Sequence, residues 1–175
     1  MRSNHVVTLD LPTWRLRDCY VECLKDFQAA EPDRPIKWDW LENFEIDLEW
    51  CRREREWTEV TNGRVPQTTY WIVCDGEHAV GKLTLRHKLT PEVERLGGHF
   101  GYEIRPAFRR RGIATQALAL GLREIRARGF TDVFITCDDD NLGSIGVFEK
   151  NGGRHIATYP VENWPKPVRK YHFEL

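Results

Sequence analysis

Hydrophobic periodicity divides the chain into alternating helical and extended segments. Residues 6–9 read as a short strand, after which Leu16, Tyr20, Cys23, Leu24 and Phe27 recur at helical spacing. A Pro-containing connection, EPDRPIKWDW, leads to a second amphipathic pattern over about residues 39–59. Leu41, Phe44, Leu48 and Cys51 share one face of it, and the opposite face is charged. NGRVP at 62–66 then breaks the chain.

Beyond that break the period becomes that of strands. TTYWIVC (68–74) and AVGKLTLRHKL (79–89), joined by DGEH, predict a hairpin. A loop ending in Gly97-Gly98 precedes HFGYEIR (99–105). In that strand His99, Gly101, Glu103 and Arg105 share one face, and Pro106 ends its pairing. Ala114, Leu118, Gly121, Leu122 and Ile125 mark the buried side of a helix stopping at Gly129. DVFITC (132–137) follows as a strand expected to run parallel to HFGYEIR, since a whole helix joins them. NLGSIGVFEKNGG reads as a last helix with Asn141 or a preceding Asp as its cap. RHIATY and VRKYHFEL close the chain as two strands.

Composition narrows what such a chain can do. Its 175 residues are 41% hydrophobic, enough to bury a substantial core, so a single domain over 1–175 is expected. With 26 basic against 27 acidic side chains the net charge is −1, and no global field favours nucleic acid or an anionic membrane. Five cysteines form no C-x-x-C pair, and no signal peptide or long apolar span accompanies them. A reduced, cytoplasmic setting is expected, with the cysteines simply buried and no metal bound.

Candidate chemistry concentrates in RPAFRRRGIAT (105–115). A strand that stops at Pro106 and turns into a helix leaves the first helical N–H groups unpaired, and Gly112 lets backbone approach an anion closely. Flanking arginines can add bonds to phosphate oxygens. Neither G-x-x-x-x-G-K-[ST] nor G-x-G-x-x-G occurs, which removes the two better-known phosphate loops.

These residues resemble the GCN5-related N-acetyltransferases. The resemblance rests on R-x-x-G-x-A at Arg109, Gly112 and Ala114, on GYEIRP before it, and on CDDDN-x-x-S after it. RHKL, GGHFGYEIRP and EKNGG match as well, so that it runs from about residue 68 to the C-terminus. It implies an α/β (α+β) acyl-CoA N-acyltransferase fold, a mixed, mostly antiparallel sheet flanked by helices. It also implies transfer of an acetyl group from acetyl-CoA to a primary amine by direct attack, with the backbone of Ile104 and Arg105 meeting the thioester and pantetheine arm. The amides of Arg110, Arg111, Gly112, Ile113, Ala114 and Thr115 would hold the pyrophosphate, Arg109 would be a further cofactor-binding residue, and Asn141 and Ser144 would lie near the pantetheine.

The attacking amine must lose a proton, and Glu103 and His99 are the candidate bases, with His87 a third choice; Arg86 could hold a carboxylate on the acceptor. Many relatives place a tyrosine seven residues after the asparagine as acid for the departing thiolate, where this chain has Phe148. Tyr159, water or an unprotonated thiolate could substitute. By the same resemblance the acceptor, a small molecule or peptide amine, would be held by the first two helices, their connection EPDRPIKWDW and the turn PVENWPKP, where Trp38, Trp40 and Trp164 offer stacking surfaces. A homodimer is compatible with this reading. The alternative is a catalytically weak or inactive acyl-CoA-binding regulatory module.

Overall fold

The computed structural model describes residues 5–33, 43–59 and 64–175. Trp38, Trp40 and the expected first turn of the second helix lie outside them.

Four strands form one antiparallel sheet in the order β1-β2-β3-β4: β1 (Val7–Asp10), β2 (Gln67–Cys74), β3 (His78–Arg86) and β4 (Phe100–Ile104). A second antiparallel sheet has the order β5-β7-β6, from β5 (Asp132–Asp138), β6 (Arg154–Tyr159) and β7 (Val168–Glu174). Two helices, α1 (Arg17–Ala30) and α2 (Phe44–Glu56), cover one face of the first sheet, where Tyr20 stacks on the fully buried Trp71 at 4.4 Å.

The remaining helices are α3 (Pro91–Arg95), α4 (Ile113–Ala127) and α5 (Leu142–Lys150). The apolar stripe of α4 enters the main core, where Ala117, Leu118, Leu122 and Ile125 pack with Leu83, Leu85, Phe100 and Phe148. Gly121 lets β4 lie close beneath α4, since a methyl there would stand 2.8 Å from the Phe100 ring. The short α3 was expected as loop, although Thr90-Pro91-Glu92 carries a start signal. Thr90 Oγ1 accepts from Val93 N–H at 3.3 Å and proline occupies the first turn.

The parallel ladder expected between β4 and β5 does not form. The segment leading into β4 meets β5 at an isolated antiparallel bridge, Gly98 with Ile135, where His99 N–H donates to Phe134 O at 2.7 Å. β4 is paired along its other edge with β3, and β5 with β7. Beyond the seam at Gly98 the facing edges of β4 and β5 form no ladder with one another.

Candidate active site

Strand alternation decides which backbone groups of β4 face this gap. His99 O accepts from Arg86 N–H at 2.8 Å and Arg105 N–H donates to Val80 O at 2.7 Å, so odd-numbered residues bond to β3. Tyr102 and Ile104 fall in the intervening pairs, and their backbone groups point to the opposite edge. Ile104 O is taken by Arg109 Nε at 3.0 Å, while its N–H faces the gap.

A cleft of about 590 Å³ opens there, bounded by Tyr102, Glu103 and Ile104 of β4, the loop entering α4, and the start of α5. The loop holds Arg110 and Gly112 in left-handed conformations, with φ of 64° and 81°. The first backbone bond of α4 runs from Gln116 N–H to Gly112 O at 3.2 Å. The amides of Ile113, Ala114 and Thr115 therefore have no acceptor within the helix, and no side chain caps them. They share the cleft wall with Gly112 and, across from them, with Asn141 and Ser144.

The four loop arginines divide into two pairs. Arg105 Nε bonds Asp26 Oδ2 at 2.6 Å, and Arg109 Nη2 bonds Glu31 Oε1 at 2.6 Å with its guanidinium 5.7 Å from the Phe27 ring centroid. Both tie the loop to α1. Arg105, whose N–H is also spent on Val80, is absent from the cleft wall, and Arg109 lines it with its charge already paired. Arg110 lines the cleft, and Arg111 lies beside it over the Phe108 ring at 5.1 Å. Neither has a carboxylate partner among the described residues. Lys150, not singled out from the sequence, also lines the wall. Its spacing from Gly143 and Val147 puts it on one helical face with them, a signal that was available.

Asn141 caps α5 by accepting from Ser144 N–H at 3.0 Å. Next to Ser144 lies the Tyr102 hydroxyl, buried and without a hydrogen bond of good geometry. Burial pushes this phenol up to about 12, opposed by a smaller pull from Ser144. Its ring stands edge-on to Phe148 at 6.3 Å, so a phenol borne on β4 abuts the position where a tyrosine was expected. Tyr159 is committed elsewhere, donating to Arg95 O at 2.9 Å. Cys137 is pushed up to about 11 by burial, then by Asp138, and is no thiolate at neutral pH.

Of the candidate bases, only Glu103 reaches the cleft, where its carboxylate lies 3.5 Å from Lys82 Nζ. His99 lines neither this cleft nor the second one described below. Its Nδ1 accepts from Phe134 N–H at 3.0 Å, buttressing the seam, and burial lowers its pKa. His87 bonds Thr68 Oγ1 at 2.8 Å and is pushed down to about 4, mainly by burial and then by Arg128. Both imidazoles are held neutral by the fold. The unfolded chain takes up their protons near pH 6.5, so it binds more protons below that value and stability falls as pH drops from about 6.5 toward 4. His87→Gln is expected to flatten this limb in a plot of Tm against pH; an unchanged slope would clear His87.

A second cleft, of about 340 Å³, adjoins the first and shares Tyr102, Asn141 and Ser144 with it. It extends between Gly101 and Cys137 to Arg86, and Trp164 stands at its edge. Trp164 Nε1 donates to Asp138 Oδ1 at 2.7 Å and Lys166 pairs with Asp140 at 2.7 Å, so the β6–β7 turn is tied to the acidic triplet. Among the described residues no cluster could hold a metal, all five cysteines are free, and no helix is long and apolar enough to cross a membrane.

A family model for the acetyltransferase (GNAT) family matches residues 19–153. The chain belongs to the GNAT acetyltransferases. Solved GNAT structures share its fold. RimJ of Mycobacterium smegmatis, in complex with CoA-disulfide, aligns with a TM-score of 0.71 at 22% identity, over 97% of this chain and 82% of that one. RimL, a ribosomal L7/L12 alpha-N-protein acetyltransferase in complex with coenzyme A, aligns at 0.68 and 17%, over 100% and 97%. The microcin C7 self-immunity acetyltransferase MccE, in complex with acetyl-CoA and AMP, aligns at 0.69 and 14%, over 99% and 94%. No curated protein sequence matches the chain.

Proposed function

We propose that this GNAT acetyltransferase moves the acetyl group of acetyl-CoA to a primary amine by direct attack in a ternary complex. The observation that carries the reading is the convergence on one cleft of the unbonded amides of Ile113, Ala114 and Thr115 with the unpaired edge of β4 at Ile104. A diphosphate suits the first set, since helix N-termini bind anions through such amides and the helix dipole. Arg110 at the wall and Arg111 beside it have guanidinium groups to spare for further phosphate oxygens, and Lys150 adds another cation at the wall. Asn141 and Ser144, across the cleft, suit the amide groups of a pantetheine arm.

Acetyl-CoA supplies the thioester. Ile104 N–H is aimed where a preorganised donor can stabilise the oxygen as the carbonyl becomes tetrahedral. Glu103 accepts a proton from the amine, directly or through water, as the C–N bond forms. Tyr102 donates a hydrogen bond to sulfur as the C–S bond breaks. A phenol near 12 is a weaker acid than a thiol near 8.5, so Tyr102 stabilises the departing thiolate rather than surrendering its proton outright. Tyr102→Phe is expected to lower kcat by about ten- to a hundredfold with little change in KM for acetyl-CoA. Undiminished kcat would remove Tyr102 from the mechanism.

The reading is tested by calorimetric titration with acetyl-CoA and with CoA lacking its 3′-phosphate. One-site acetyl-CoA binding, weakened in the comparison compound, is expected. No binding would sink the assignment.

A further inference from the structure

The second cleft contains a cation, Arg86, that none of the described residues neutralises. Arg86 closes β3, and its Nη1 donates to Gly98 O at 2.8 Å. Among the described residues no carboxylate pairs with it and no acceptor takes Nη2 or Nε. Burial lowers its pKa with no counterion to offset the effect. Desolvating a guanidinium without an anion is costly. The chain nevertheless leaves room for the group, because a methyl on Gly97 would stand 3.2 Å from Nη1 and one on Gly101 3.6 Å from Nη2.

We propose that Arg86 is a subsite for a carboxylate on the acceptor, so that the substrates are amines carrying an acid roughly 7 Å from the reactive nitrogen. This rests on the acetyl-CoA reading of the first cleft. The span follows from the strand. Arg86 lies over Gly101, and Gly101 and Glu103 are two residues apart on the same face of β4, where the rise is roughly 3.3 Å per residue. The carboxylate would thus be held two residues from the proposed base. An α-amino acid, with only two bonds between nitrogen and carboxyl carbon, is too short to bridge the two groups. A dipeptide, a peptide N-terminus followed by an acidic residue, or a six-carbon ω-amino acid reaches about that far. The planar guanidinium can offer its free donors to the two oxygens of one carboxylate, which an amide cannot match.

The test is titration of the CoA-saturated protein, and of the protein without CoA, with glycine, 4-aminobutyrate, 6-aminohexanoate and 8-aminooctanoate, each beside its carboxamide. 6-Aminohexanoate is expected to bind at least about tenfold more tightly than its amide and than glycine, the size of one charge-assisted bond. Arg86→Met should abolish that preference while leaving CoA affinity unchanged, and Arg86→Lys should retain part of it. Equal binding of acid and amide in the native protein, or a preference that survives Arg86→Met, overturns the proposal. Failure of CoA to bind defeats the cofactor reading instead, and the CoA-free arm still reads Arg86. A succinyl-CoA arm separates the source of the carboxylate: binding at least about tenfold tighter than acetyl-CoA, lost in Arg86→Met, would place it on the donor and overturn the acceptor assignment.

Discussion

Gly112→Val is expected to weaken acetyl-CoA binding by at least about a hundredfold while the protein stays folded. Gly112 sits at φ 81°, a region a β-branched residue enters only at a cost of roughly 1–2 kcal/mol, and it lines the cleft in front of the first amides of α4. Apart from its chain neighbours, no atom of the described residues lies within 4 Å of a Cβ there, so the core has nothing to object to. Either the valine keeps the left-handed turn and projects its methyls into space the diphosphate needs, or the loop relaxes and turns the amides of Ile113, Ala114 and Thr115 away. Both outcomes remove the anion site. Gly129→Val is the matched control. Gly129 has φ 88° and equally open space around its Cβ, but it lies at the far end of α4. Calorimetry should show wild-type affinity for the control and none measurable for Gly112→Val, with similar small losses in Tm. Comparable affinity in the two variants would refute the anion-loop assignment.

Gly98→Val is expected to act on the fold itself. Here a Cβ would stand 2.1 Å from Phe134 O, a backbone atom that cannot swing aside, and φ is 74°. Bonds crowd this point. Gly98 N–H donates to Val93 O at 2.7 Å, Gly97 N–H to Thr136 Oγ1 at 2.7 Å, and Thr136 N–H to Gly97 O at 3.3 Å. Overpacking at about 1–3 kcal/mol and the left-handed penalty of about 1–2 kcal/mol sum to about 2–5 kcal/mol. A chain of this length should then lose on the order of 10 °C in Tm. The same substitution parts the two sheets and should loosen the Arg86 bond to Gly98 O, so 6-aminohexanoate binding should fall with stability. A melting temperature within about 2 °C of wild type would show that the seam is not structurally required.

How much of this was legible before folding depends on the range of the interactions concerned. The geometry of the proposed anion loop was readable because everything that makes it is local: a strand stopped by Pro106, a left-handed turn at Gly112, and a helix whose first amides are unpaired by geometry. The face shared by Gly101 and Glu103 followed from the two-residue period of a strand, and Phe148 stood out against the family pattern. α3 was missed although Thr90-Pro91-Glu92 carries its cap.

The division of labour among the arginines was not readable from local sequence. Arg105 and Arg109 are spent on Asp26 and Glu31, 79 and 78 residues away, and only the docking of α1 brings those carboxylates to the loop. Likewise His99 is claimed by the backbone of Phe134, which leaves Glu103 as the candidate base in the cleft. The expected parallel ladder is replaced by a gap between β4 and β5, a relation between two sheets that neither strand's own pattern specifies. Tyr102 was not singled out from the sequence, because only the packing of α5 sets Ser144 and Phe148 against it. Local periodicity determined the elements and the turn at Gly112 with the unpaired amides behind it, whereas burial and charge pairing between distant segments decided which side chains line the clefts.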